Sequence, residues 1–243
     1  MTKFIRKVAS KLADKGYLKD RYLEVLGIFD GKYSYKGPFH VQIDLTNDCN
    51  NQCIACWCNS PLLKERRLSG DEKKRRLPFE MVKELLDDLR QLGTKEIYYS
   101  GGGEPFMHPQ IMEILEYTKK KGFVCYVNTN FTLVDKKIIN ELIRMKVDSL
   151  TVSTWAATPQ TYVRTHIGRK EEDFLQIVDN LFYLNMHKLQ YPKVKLYNVI
   201  FTMNYKEIVK MFEFAKKVKS EYVEFTVVDT IPVSYTHLTL PTN

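Results

Sequence analysis

The sequence predicts an α/β fold: a parallel sheet arranged as a partial (β/α)6 barrel of the TIM type, preceded by a short helical N-terminal extension. Two observations predict it. Between residues 39 and 230, short apolar strand-like segments alternate with amphipathic helical ones, six strands to five helices. That alternation is the pattern of βα units, whose strands lie parallel. Turn chemistry also falls at the joints: Pro78 suits a first helical turn, and Gly93 and Gly122 suit helix ends.

The elements follow in order. Residues 3–26 place Phe4, Ile5, Val8 and Leu12, then Tyr22, Leu23 and Leu26, at helical spacing. They predict two short amphipathic helices around Gly16, within an extension covering residues 1–38. The first strand is expected at residues 40–45. A helix is expected at 78–92, with Phe79, Val82, Leu85, Leu86, Leu89 and Leu92 on one face. Strands at 96–100, 123–128, 149–154, 193–202 and 222–228 then alternate with helices at 109–121, 135–146, 171–186 and 206–219. A helix is due after the sixth strand, but residues 231–243 lack helical periodicity. The string PVSYTHLTLPT within them resembles a translated sequencing-adapter remnant. The expectation is a non-native tail, with the native sequence ending near Thr230 and His237 no ligand. The alternative is a genuine extended tail. Ligand sites in parallel sheets lie at the C-terminal ends of the strands, which is where to look for chemistry.

Composition narrows the class. Of 243 residues, 44% are hydrophobic and 27% charged, an ordinary globular balance. No window approaches 18 consecutive apolar residues, so no membrane-spanning helix is expected. Residues 1–19 are basic but lack an apolar core and a cleavage site, so they are no secretory signal. A cytoplasmic location is expected. The net charge of +8 is concentrated in residues 3–21 and in the run 64–76. Nucleic acid is an open but unfavoured partner for that run. A solvated face is the simpler reading, because no aromatic residues interleave the charges.

Four of the five cysteines fall within ten residues: Cys49, Cys53, Cys56 and Cys58. The first three have C-x3-C-x2-C spacing just after the first strand. Three thiolates on one loop can each hold one iron of a cubane cluster and leave the fourth iron open, and soft sulfur suits iron–sulfur clusters or zinc. The zinc alternative uses all four cysteines, but structural zinc prefers paired knuckles separated by a loop. Cys58 then reads as a free thiol near the metal site, and Cys125 as a buried small apolar residue. His40, His108, His166 and His187 form no ligand-spaced cluster.

The second strand ends in Ser100-Gly101-Gly102-Gly103-Glu104-Pro105. Glycine lets a backbone approach a ligand closely; a tight βα turn is the plainer alternative. The third strand ends in Asn128-Thr129-Asn130-Phe131-Thr132. The fourth ends in Ser153-Thr154-Trp155, and Arg164 and Arg169 follow.

Together these residues resemble the radical SAM superfamily over most of residues 40–230. The resemblance implies a [4Fe–4S] cluster on Cys49, Cys53 and Cys56. S-adenosylmethionine would bind its open iron and be cleaved reductively to methionine and a 5′-deoxyadenosyl radical, which abstracts hydrogen from a substrate. The family's GGEP motif, which contacts the cofactor's methionine amino group, falls on Gly102, Gly103 and Glu104. Asn130 lies where the family often has Thr-Asn-Gly-Thr, with Phe131 in place of glycine; it faces the site or caps a turn. Ser153 and Arg164 resemble ribose and carboxylate contacts of the peptide- and protein-modifying, SPASM-associated branch, with Arg169 the competitor. Ala55 stands where many members have an aromatic residue, and Trp57 follows the third cysteine instead. An electron donor such as a flavodoxin or ferredoxin is implied. The substrate, a peptide, a protein or a small metabolite, is not readable. Two alternatives stay open: an RNA-modifying member, motivated by the basic run, and a non-enzymatic zinc module.

Overall fold

The computed structural model describes residues 16–66 and 68–228. The first predicted N-terminal helix and the adapter-like tail lie outside them. Within the described residues the extension forms one helix, α1 (Gly16–Asp30).

The predicted alternation becomes one six-stranded parallel sheet. Its strands are β1 (His40–Ile43), β3 (Glu96–Tyr99), β4 (Val124–Thr129), β5 (Ser149–Ser153), β7 (Lys193–Ile200) and β8 (Tyr222–Val227), and they pair in that order. Every pairing in this sheet is parallel. β1 and β8 are its edges, so the barrel is partial and open. The connecting helices are α3 (Phe79–Gln91), α4 (Ile111–Lys120), α5 (Lys136–Arg144), α7 (Glu171–His187) and α8 (Ile208–Lys217). Three smaller features carry no sequence periodicity and went unpredicted. They are α2 (Gly70–Lys73), α6 (Pro159–Thr165), and an antiparallel ribbon joining β2 (Gln52–Cys53) to β6 (His166–Ile167).

Period-two alternation divides the sheet into two faces. Ile97, Tyr99, Cys125, Val127, Leu150, Val152, Val194 and Leu196 are fully buried beneath the helices. The helices answer with Val82, Leu86, Ile114, Leu115, Ile139, Leu142, Ile177 and Leu181. At about 25 cal/mol per Å² of apolar area removed from water, this layer is the main source of stability. Leu85 and Leu92, expected on the buried face of α3, are instead 37% and 54% exposed. The other face of the sheet is polar and half-buried. Tyr98 stacks on Tyr126 there at 4.4 Å, and beyond them lie Ser100, Asn128 and Ser153.

The helix ends follow local chemistry. Asp135 accepts from the Ile138 N–H and Thr158 from the Thr161 N–H, capping α5 and α6. Gly93 and Gly122 close α3 and α4 with φ of +87° and +77°, a conformation that costs glycine little. Among the described residues, no helix is long and apolar enough to cross a membrane.

Candidate active site

The C-terminal ends of the parallel strands form one rim, and a cavity of about 280 Å³ opens there. Cys49, Cys53 and Cys56 line it from the loop after β1. Gly102, Gly103 and Glu104 line it from the turn after β3. Asn130, after β4, and Ser153, at the end of β5, complete the predicted set that the fold brings together. A larger groove of about 1190 Å³ lies at the opposite end of the sheet, between α1 and residues 31–39. It holds the Glu24–Lys36 pair and no thiol.

The cysteine loop is braced by protein contacts on both flanks. Cys53 pairs with His166 across the β2–β6 ribbon, and the Ile54 N–H donates to the Thr165 carbonyl at 2.9 Å. Arg169 donates to the Asn51 side chain at 2.5 Å and the Asn50 carbonyl at 2.8 Å, and it pairs with Asp173. On the other flank, Arg76 bonds Asp48 at 3.0 Å, and the Asn47 N–H donates to the Arg75 carbonyl. Part of the basic run therefore braces this loop.

The two arginine candidates separate. Arg164 sits on α6, exposed and outside the cavity wall. The chain then turns back at Gly168, φ +83°, which brings Arg169 against the cysteine loop. Arg169 donates to Asn50, Asn51 and Thr132, and among the described residues no lysine, arginine or histidine lines the cavity.

Electrostatics distinguish the thiols. Burial pushes Cys49 up to about 12 and Cys53 well above its ordinary value. Cys56 is held below the usual thiol value, first by the Cys58 thiol and then by the backbone N–H groups of residues 58–60. The sulfurs of Cys56 and Cys58 are 3.6 Å apart, and the Cys58 sulfur lies 2.9 Å from the Gly102 carbonyl oxygen, so its single S–H serves one of the two at a time. Cys58 thus turns towards the glycine turn and lies outside the cavity wall.

The glycine turn is locked to the cysteine loop. The Gly102 N–H donates to Asp44 at 2.7 Å, and Asn59 donates to the Gly102 carbonyl at 2.8 Å. A Cβ on Gly103 would lie 2.2 Å from the Thr46 carbonyl oxygen and 2.4 Å from that of Asp48, so only glycine fits. Glu104 is 2% exposed. Its carboxylate accepts from the Thr129 hydroxyl at 2.6 Å, the Asn130 N–H at 2.6 Å and the Phe106 N–H at 3.2 Å. Burial pushes it up to about 7, and the three donors oppose that rise. Glu104 thereby ties the glycine turn to the end of β4. Phe131 keeps a glycine-like φ of +62° and is fully buried.

Several wall residues were not singled out from the sequence. Trp155 has φ +50°, with its carbonyl accepting from Asn204, and its indole packs against His166 and Phe201. Ser100, Asn128, Tyr197 and Val199 also line the cavity. An alternation rule applied at the strand ends would have found them, since each lies an even number of residues from an inward-facing neighbour.

The donor set fits an iron–sulfur cubane. Three thiols face one cavity, and a glycine turn approaches their loop more closely than any Cβ allows. A lone tetrahedral zinc would draw its sulfurs to about 3.8 Å from one another, given Zn–S bonds of about 2.3 Å. Among the described residues, no group of three or more His, Cys, Asp or Glu side chains stands close enough together to hold a metal ion.

Comparison with known proteins bears on the same residues. The family model for the radical SAM superfamily matches residues 43–215. The chain is 24% identical over 180 residues to the tungsten-containing aldehyde ferredoxin oxidoreductase cofactor-modifying protein of Pyrococcus furiosus, covering 72% of this chain and 47% of that one. It is 25% identical over 199 residues to the antilisterial bacteriocin subtilosin biosynthesis protein AlbA of Bacillus subtilis, covering 82% and 41%. It thus spans about half, or less, of the length of these curated relatives. The crystal structure of Streptococcus suis SuiB bound to precursor peptide SuiA matches with a TM-score of 0.71 at 16% identity, a likeness of fold covering 93% of this chain and 47% of that one.

Proposed function

The chain belongs to the radical SAM superfamily of enzymes, and from that membership we propose that it binds a [4Fe–4S] cluster and reductively cleaves S-adenosylmethionine to act on a peptide. Cys49, Cys53 and Cys56 would hold the cluster. When bound, cluster and cofactor supply the electron and the 5′-deoxyadenosyl radical; the protein supplies position and exclusion of water. The backbone amides around Cys56 favour its thiolate form. Asp44, Cys58 and Asn59 fix the Gly102 backbone, leaving Gly103 to approach the cofactor's amino group. Glu104 acts in this reading as a positioning residue for the glycine turn. Asn130 and Ser153 offer neutral polar contacts, and a flavodoxin or ferredoxin would supply electrons.

The observation that carries this reading is the meeting of three thiols and a Cβ-free turn in one cavity at the strand ends. The peptide substrate class is supported by likeness to AlbA, named for bacteriocin biosynthesis, and to SuiB, solved with a precursor peptide. The test is anaerobic reconstitution with iron and sulfide, then dithionite and S-adenosylmethionine. The expected product is 5′-deoxyadenosine, abolished by Cys53→Ala. A folded, cluster-loaded chain that leaves the cofactor intact would refute the reading.

A further inference from the structure

Three side chains at the ends of neighbouring strands form a directional chain across the cavity floor. The Ser153 hydroxyl donates to the Asn128 side-chain carbonyl at 3.3 Å. The Asn128 amide N–H then donates to the Ser100 hydroxyl oxygen at 3.1 Å. All three residues are half-buried and line the cavity.

The order of donors fixes what the chain can offer. An amide has one face that accepts and one that donates, whereas a hydroxyl can do either. Asn128 receives from Ser153 and gives to Ser100, so Ser100 is an acceptor within the chain. Its own O–H has no acceptor among the described residues. A hydroxyl that already accepts a hydrogen bond is a somewhat stronger donor. That donor stands beside Gly101, in a wall where, among the described residues, no lysine, arginine or histidine meets an electron-rich ligand.

Resting on the cofactor reading above, we propose that the Ser153–Asn128–Ser100 chain presents the Ser100 O–H to an acceptor oxygen of bound S-adenosylmethionine. Asn128 is the positioning residue that sets the polarity. It does so through Ser100 and does not itself touch the ligand.

Asn128→Asp tests the polarity because it preserves shape and removes the donating face. An ionised carboxylate accepts from both serines, which turns the Ser100 hydrogen inward. The anaerobically reconstituted chain is used, with iron and sulfide content measured for every variant. Affinity for radiolabelled S-adenosylmethionine is read by equilibrium dialysis. Ser100→Ala and Asn128→Asp should each weaken binding about tenfold, the effect of one lost neutral hydrogen bond. The double variant should bind no worse than either single one, because both remove the same donor. Lowering the pH should restore affinity in Asn128→Asp, whose protonated carboxyl can donate again, and should not restore it in Ser100→Ala.

Additive losses, or wild-type affinity in Asn128→Asp at high pH, would each overturn the proposal. A cluster-loaded wild-type chain that binds no S-adenosylmethionine would overturn the cofactor reading and this chain with it. Wild-type binding with Asn128→Asp unchanged would overturn the chain alone.

Discussion

Replacing Glu104 with glutamine isolates the effect of a buried charge. In the folded chain Glu104 sits near 7, against 4.5 for an ordinary glutamate, because burial disfavours the carboxylate. A carboxyl raised on folding binds its proton more tightly in the native state. Its stabilising contribution is therefore fully present below 4.5 and is lost as pH rises through 7. With those two values, linkage gives a loss of about 2.5 kcal/mol between pH 5 and pH 8. Glutamine cannot titrate, so Glu104→Gln removes this part of the pH dependence. It also turns an NH2 group towards one of the three donors now facing the carboxylate, at a cost of about 1–3 kcal/mol at every pH. The assay is denaturant unfolding of the cluster-free wild type and variant at both pH values. The stability gap between them should be wide at pH 5 and shrink by about 2.5 kcal/mol at pH 8. A gap that stays constant, or widens with pH, would refute the assignment of a buried, raised carboxyl at this position.

Three further outcomes follow from the same geometry. Gly103→Ala puts a methyl into backbone carbonyls that cannot move aside, so it should lower stability by about 1–3 kcal/mol and sharply reduce iron incorporation, read by unfolding and metal analysis. Arg169→Ala removes the donors that hold Asn50 and Asn51 and should cost about 3 kcal/mol in denaturant unfolding, whereas Arg164→Ala, at an exposed position, should change stability by less than about 0.5 kcal/mol. Phe131→Gly relieves a left-handed backbone but empties a fully buried ring site. Cavity cost outweighs relieved strain, so thermal unfolding should show a net loss of about 3 kcal/mol.

The parts of this molecule that repeat were readable from sequence. Apolar alternation located the six strands, and amphipathic spacing located the helices between them. Chain order alone then placed the cysteines and glycines at one rim. The unread parts depend on backbone turns that leave no periodic trace. β2 and β6 are two residues each, and they exist because α6 ends at Thr165 beside the cysteine loop. The two arginines part at the same place: Arg164 is left exposed on α6, and the turn at Gly168 brings Arg169 against the cysteine loop. For Glu104, the motif implies a contact to the cofactor's amino group. Only the fold shows three protein donors already on it. Phe131 departs from the expected glycine, yet the turn keeps its shape, because burial of the ring offsets an unfavourable φ. Asn128 and Ser100 were legible in principle from strand alternation, but their polarity was not, since it depends on three strands meeting.

The central claim is that three cysteines, and no fourth protein thiol, hold a cluster with one open iron. Mössbauer spectroscopy on chain reconstituted with isotopically enriched iron tests it directly. Adding S-adenosylmethionine should shift the signal of one iron in the four-iron cluster and leave the other three unchanged, with the same result in Cys58→Ala. Four irons that all ignore the cofactor, or a chain that takes up a single zinc and no labile sulfide, would contradict it.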